Sequence, residues 1–235
     1  MKAKTHALAY YRRMLAAQDH AMKRLDEHAK IILFARNQEI PVDSEPVAHW
    51  YYVVSGAVRR SAIRSDGRRQ ILDLMLPGDF FFVVNRHDDL TVEAIAEDTA
   101  LASYPGQRVE QLAQRDTEFA RELRDVAFQA LSRIQDQLLI IGGVTAVEKV
   151  SSFLLALASR SSNGTGQVVL PLTRYDIAEY LAVSVETVSR SFTSLQQRGA
   201  IRLAGKRTVR IVNRNLWRRR MRMIPCESSV AAIPV

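Results

Sequence analysis

The spacing of apolar residues changes once along this chain, and that change limits the folds open to it. Residues 31–104 carry short apolar runs separated by turn signals. Ala48–Tyr52 leads into Val53-Val54-Ser55-Gly56-Ala57-Val58, a strand pattern with a glycine break. Asp66-Gly67, a dipeptide favoured in two-residue hairpins, separates the β-rich stretches Ala57–Arg64 and Gln70–Leu76. Pro77-Gly78-Asp79 marks another turn, and Leu90–Ile95 and Thr99–Tyr104 read as strands on either side of Glu97-Asp98. Closely spaced strands of this kind predict an antiparallel barrel or sandwich, with Phe80-Phe81-Phe82-Val83-Val84 in its core. Beyond this region the apolar residues fall at Phe119, Leu123, Val126, Ala130, Ile134, Leu138 and Ile141, at intervals of 4, 3, 4, 4, 4 and 3. That is a helix with one apolar stripe. Such a helix can lie on its own domain or pair with a copy of itself, and periodicity alone does not choose. Residues 1–20 show no strong period and read as a loose or weakly helical arm.

Gly142-Gly143 ends the long helix, and Thr145-x-x-Glu148 is a capping box opening the next, about Ala146–Arg160. After a loop at Ser161–Gly166 and a short strand at Val168–Leu172, Thr173-x-x-Asp176 can cap a helix of about Arg174–Leu181. Ala182-Val183 makes a turn, Ser184 caps Val185–Arg198, and Gly199 stops it. Two short helices joined by a tight turn are a helix-turn-helix arrangement. In the second helix Val188, Phe192 and Leu195 repeat at helical spacing and should face the core. Glu186, Thr187, Ser189 and Arg190 then lie on other faces near its N-terminal end, the part of a recognition helix that meets base edges. Arg190 has the chemistry for guanine O6 and N7, Glu186 for the cytosine amino group, and Ser189 and Thr187 for a thymine methyl or a phosphate. The plainer alternative is a surface ion pair between Glu186 and Arg190 at i, i+4. Ile201-Arg202-Leu203 and Val209-Arg210-Ile211 alternate as strands about Gly205-Lys206-Arg207, a wing whose basic tip suits phosphate contact.

The charge distribution agrees. The net charge is +8, but residues 143–220 hold 13 Lys/Arg against 4 Asp/Glu, whereas residues 1–142 hold 19 against 20. A basic segment beside a neutral one points to a polyanion, double-stranded DNA or RNA being the usual one. The tail run Arg218-Arg219-Arg220-Met221-Arg222 reads equally as phosphate contact or as a solvated charge run. The absence of any run of about 18 apolar residues and of a signal-peptide core at the start makes a membrane span unexpected and the cytoplasm the expected location. Catalysis is not expected. A metal-dependent β-barrel enzyme needs clustered ligands such as His-x-His, whereas His49 and His87 stand alone, and there is no phosphate-cradling glycine loop.

Leu172-Thr-Arg-Tyr-Asp-Ile-Ala-Glu-Tyr-Leu-Ala-Val-Ser-Val-Glu-Thr-Val-Ser-Arg190 resembles the DNA-reading segment of the CRP/FNR superfamily of bacterial regulators, and Glu186-x-x-Ser189-Arg190 resembles its FNR and FixK branch. The likeness extends through Val53–Val58, Ser65–Ile71 and Leu76–Asp79, covering roughly residues 25–215. The resemblance implies an α+β chain. An arm (1–24) precedes an N-terminal antiparallel β-roll of the cyclic-nucleotide-binding type (25–107) and a long dimerisation helix (108–142). A C-terminal winged helix-turn-helix (143–220) and a tail (221–235) follow. It implies that the stripe Phe119, Leu123, Val126, Ala130, Ile134, Leu138 and Ile141 pairs with its twin in a homodimer. It further implies an activator working with RNA polymerase on a palindrome resembling TTGAT-N4-ATCAA. Arg190 would read the guanine, Glu186 the amino edge opposite and Ser189 a thymine, with Thr173, Arg174, Lys206 and Arg207 on phosphates.

The chain departs from the family where ligands bind. Its one cysteine, Cys226, cannot hold the iron–sulfur cluster of an oxygen sensor. The cyclic-nucleotide cassette wants Gly-Glu, then an arginine before Ser or Thr. Here Gly78 is followed by Asp79, and Asp89-Leu90-Thr91 lacks the arginine that would grip the phosphate. Haem stays open as a cofactor, since His20, His28, His49 and His87 are able to ligate iron. No cofactor is otherwise expected, and the roll reads as one that works without an effector.

Overall fold

The computed structural model describes residues 2–18, 22–41, 49–83, 90–160, 167–205 and 207–212. In chain order it contains α1 (Lys2–Ala17), a 3-10 turn (Lys23–His28), β1 (Lys30–Phe34), β2 (His49–Ser55), β3 (Val58–Ile63), β4 (Arg69–Met75), β5 (Phe80–Val83), β6 (Leu90–Ala94) and β7 (Thr99–Tyr104). Then follow α2 (Gly106–Arg115), α3 (Thr117–Ile141), α4 (Ala146–Arg160), β8 (Gln167–Val169), α5 (Arg174–Leu181), α6 (Val185–Gln197), β9 (Ile201–Leu203) and β10 (Thr208–Ile211). These form two compact units. The first runs to Gln137 and takes in Pro171–Ala182, hence α5; the second holds Leu138–Leu170 and the chain from Val183 onward.

In the first unit the strands form the antiparallel roll that the family resemblance implies, as two sheets ordered β1-β7-β2-β5 and β4-β3-β6. Strand alternation sorts their side chains. Tyr51, Val53, Phe81, Val83 and Leu101 join Val58, Met75, Val92 and Ala94 in one core cluster. Tyr52, Val54, Phe80, Ala102 and Tyr104 point the other way into a second cluster with Phe119 and Val126 of α3. Phe80, Phe81 and Val83 are thus core, as expected of them, whereas Phe82 is exposed and packs beside Trp50, and Val84 lies outside the described residues. The arm is more ordered than its sequence suggests. Leu15 of α1 is buried, and Leu8, Tyr11 and Met14 pack against the same cluster. Their helical spacing is short and overlaid by Arg12 and Arg13, which hides it.

Glycine meets a backbone need at the two turns flanking β3. Asp66-Gly67 closes the β3–β4 hairpin with Gly67 at φ +79° and Arg64 N–H donating to the Arg68 carbonyl. Gly56, between β2 and β3, sits at φ +85°, and a Cβ there would lie 2.7 Å from the Thr99 Cα. Gly56→Ala therefore combines left-handed strain with overpacking of β7. It should destabilise the roll by roughly 2–5 kcal/mol in urea unfolding; an unchanged midpoint would mean that the turn relaxes freely.

The α3 stripe divides between two faces, which corrects the single stripe read from the sequence. Phe119 (0% exposed) and Val126 are buried in the roll's own core, and Leu123 is half-buried against it. Ala130 and Ile141 are half-buried, while Ile134 and Leu138 (64%) are exposed. The cause lies in the intervals. Each step of four residues turns 40° past a full helical turn, and three in succession from Val126 to Leu138 carry the stripe from the inner face to the outer one.

In the second unit α4 opens with the anticipated reciprocal cap. Glu148 N–H donates to Thr145 Oγ1 and Thr145 N–H to the Glu148 carboxylate. This helix packs on α6 and buries Val150, Phe153, Leu154 and Leu157. Strands β8-β10-β9 form a small antiparallel sheet beside them.

Candidate nucleic-acid interface

The start of α6 is fixed by its cap. Ser184 adopts extended backbone angles and its hydroxyl accepts from Thr187 N–H at 3.1 Å. Before it, Ala182 ends α5 in the left-handed conformation at φ 53°. Val188, Phe192 and Leu195 are buried, as their spacing predicts. Glu186, Ser189 and Arg190 are consequently exposed together on the outward face. Thr187 is not part of that group. It is half-buried and its hydroxyl bonds to that of Ser184. Thr193 and Gln197 extend the outward face by two turns beyond the residues singled out from the sequence; the helical spacing 186, 189–190, 193, 197 is the signal that carries them.

Glu186 and Arg190 do form the i, i+4 ion pair, with side chains 69% and 79% exposed. A pair so exposed stabilises the helix by only about 0.2–0.5 kcal/mol. It holds the guanidinium extended at the surface and is readily given up to a stronger partner. Ser189 donates to the Val185 carbonyl.

On the wing, β9 and β10 place Arg202 directly opposite Arg210, and both are exposed. Like charges facing each other across strands are destabilising on their own, so the pair gains when a phosphate comes between them. Arg207 is half-buried beside the Gly205 turn, and Lys206 lies outside the described residues, as do the tail arginines and Cys226.

Thr173 and Arg174 belong with α5 in the first unit. The Thr173 hydroxyl is committed to the cap, accepting from Asp176 N–H and donating to its carboxylate. Arg174 is half-buried, and that burial lowers its pKa from the usual guanidinium value. Tyr175 between them and the helix body is exposed.

Described residues at the family's cyclic-nucleotide cassette are engaged within the roll. The Asp79 carboxylate accepts from Leu76 N–H at 2.7 Å and from Arg133 of α3 at 3.4 Å. The Thr91 hydroxyl shares a hydrogen bond with Ser61 at 2.9 Å, and Leu90 stands where the arginine is needed. Arg60, Arg133 and Asp73 crowd the same region, and burial lowers the pKa of Arg60. Of the candidate haem ligands, His49 is half-buried at the start of β2 and His28 pairs with Glu27 at the surface, while His20 and His87 lie outside the described residues. Among the described residues no group of three His, Cys, Asp or Glu could hold a metal, and no helix is long and apolar enough to cross a membrane.

An antiparallel roll, a long helix and a capped helix-turn-helix with a basic wing together define a DNA-binding transcription regulator. Comparison with known proteins agrees. The family described as Crp-like helix-turn-helix domain matches residues 148–219, and the cyclic nucleotide-binding domain matches residues 31–116. The nitrogen fixation regulation protein FixK of Azorhizobium caulinodans is 39% identical over 192 residues, covering 80% of this chain and 77% of that protein. The FixK protein of Rhizobium meliloti is 42% identical over 163 residues, 69% of this chain and 73% of that one. The solved structure of FixK2 from Bradyrhizobium japonicum superposes with a TM-score of 0.73 at 35% identity, covering 81% of this chain and 96% of that chain. The chain belongs to the CRP/FNR family of transcription regulators, in its FixK branch.

Proposed function

We propose that this regulator is a cytoplasmic homodimeric activator that binds a TTGAT-N4-ATCAA-like palindrome without a small-molecule effector and works with RNA polymerase. The observation that carries the reading is the outward face of α6, where Glu186, Ser189 and Arg190 stand together on a helix whose opposite face is locked by Val188, Phe192 and Leu195. Arg190 pairs with guanine, Glu186 with the amino edge opposite, Ser189 with thymine. Twofold symmetry matches the palindrome, the half-sites lying about one helical turn apart.

The dimer seam on α3 runs through Ala120, Arg124, Ala127, Leu131, Ile134, Leu138 and Ile141, at intervals of 4, 3, 4, 3, 4 and 3. This is the heptad spacing of a paired helix. Ala127, Leu131 (50% exposed), Ile134 and Leu138 on that line are open to solvent in one protomer. An exposed apolar row of this length calls for a cover. Independence of an effector, with neither an iron–sulfur cluster nor a cyclic nucleotide, is supported by Asp79 and Thr91 being spent on internal bonds.

The test is fluorescence anisotropy of the purified protein in air, without added ligand, on a TTGAT-N4-ATCAA duplex and a scrambled control at fixed salt. Selective binding is the expected result; equal, weak binding to both duplexes would overturn the reading. On the same assay Arg202→Ala or Arg210→Ala should weaken both duplexes alike and flatten the log–log salt slope by about 0.9 for each phosphate no longer neutralised. A loss confined to the specific duplex would remove these residues from the phosphate role.

A further inference from the structure

Helix α5 is held to the three-stranded sheet by a cluster of charges that the DNA-reading role does not use. Asp176 divides its carboxylate. One oxygen closes the cap, accepting from the Thr173 N–H at 2.9 Å and hydroxyl at 2.6 Å. The other accepts from Arg59 of β3 at 2.6 Å and from Arg69 of β4 at 3.3 Å. Arg59 also pairs with Glu93 of β6 at 2.9 Å, and Arg69 reaches the same carboxylate at 3.5 Å. One turn further along α5, Glu179 accepts from Arg69 Nε at 2.9 Å, and its backbone carbonyl accepts from the Gln70 side chain. Arg59 and Asp176 are about as buried as charges become, at 6% and 7% side-chain exposure.

Buried pairs of this kind give little net stability. Breaking one by removing a partner is costly, so their strength is to single out one arrangement among many. Here the arrangement is the seat of α5, whose N-terminal residues Thr173 and Arg174 are the ones expected on phosphate. All the donors and acceptors come from the chain itself.

We propose that Arg59, Arg69, Glu93, Asp176 and Glu179 form a built-in latch that seats α5 on the β4-β3-β6 sheet and so holds its N-terminus ready for phosphate. The proposal rests on the reading of ligand-free DNA binding. Net charge allows a clean test, because Arg69→Gln removes a positive charge and Glu179→Gln a negative one. If these residues acted on DNA only through the general field, the first would weaken binding and the second would strengthen it. The latch requires both to weaken it.

Both variants and the double variant would be compared with the wild type by hydrogen–deuterium exchange over Ile177–Leu181 and by anisotropy on the palindromic duplex. The expected result is exchange at least tenfold faster in each single variant, affinity at least fivefold lower in each, and a double variant no worse than the poorer single one. Unchanged exchange, unchanged affinity despite faster exchange, or opposite effects of the two single variants would each overturn the latch. A wild type that fails to select the palindrome overturns ligand-free recognition instead. The latch then stands if both single variants speed α5 exchange at least tenfold and falls if they do not.

Discussion

Arg190→Ala is expected to lower affinity for the palindromic duplex by about 1–3 kcal/mol per half-site. With two half-sites in a twofold complex that is roughly 30-fold to over 10⁴-fold, among the largest effects a single substitution can have on this protein. Two things are lost together. The guanidinium no longer meets guanine, and the Glu186 carboxylate, paired to Arg190 in the free protein, faces the DNA without its counter-charge. The protein should unfold at the same denaturant concentration as before, because the pair is exposed and contributes little to the helix. Selectivity is the deciding measurement. Discrimination between a cognate guanine and a substituted base should collapse at that position, while binding to scrambled DNA falls only modestly. An equal loss on both duplexes would place Arg190 on the phosphate backbone.

The second large effect separates two residues that one sequence pattern had joined. Leu138→Glu puts a carboxylate on the exposed seam, so the protomer should fold normally but sediment as a monomer. Loss of one half-site removes about half of the roughly 4–10 kcal/mol separating specific from non-specific binding, so specific affinity should fall by about 30-fold or more. Val126→Glu places the same group in the core with Phe119 and Tyr104, where even a neutral unbonded polar group costs roughly 2–7 kcal/mol and a charge far more, so the side chain takes up a proton or the core unfolds locally. Circular dichroism and sedimentation together distinguish the cases. A folded monomer from Leu138→Glu and an unstable protein from Val126→Glu are expected. A folded dimer from Leu138→Glu would remove α3 from the interface.

What the sequence made legible was whatever is local. The hairpin at Asp66-Gly67, the caps at Thr145, Thr173 and Ser184, and the buried row Val188, Phe192 and Leu195 depend on residues a few positions apart, and all are in the structure. The face carrying Glu186, Ser189 and Arg190 was legible for the same reason. The engagement of Thr187 was less legible, because a residue close to an N-cap can turn its hydroxyl back to the cap. What remained hidden depends on distant partners. Nothing near Arg59 in sequence announces Asp176, 117 residues away, and the facing of Arg202 and Arg210 follows from strand register rather than composition. The α3 stripe lay between these cases. Its helical period was plain, but the face it presents to the roll is decided by Phe119 and Val126 meeting Tyr52 and Tyr104.

The seating of α5 also bears on how this regulator can be taken apart. A fragment beginning near Gly143 would carry α5 away from β3, β4 and β6. Asp176 would keep its bond to Thr173 but lose Arg59 and Arg69, and Glu179 would lose Arg69 as well. Two uncompensated carboxylates, three residues apart on one helix, would then stand beside a polyanion that repels them. The excised piece is by this account a poorer DNA ligand than its basic composition suggests. A chimaera that grafts this helix-turn-helix onto a foreign roll inherits its grip only if the two arginines and Glu93 travel with it.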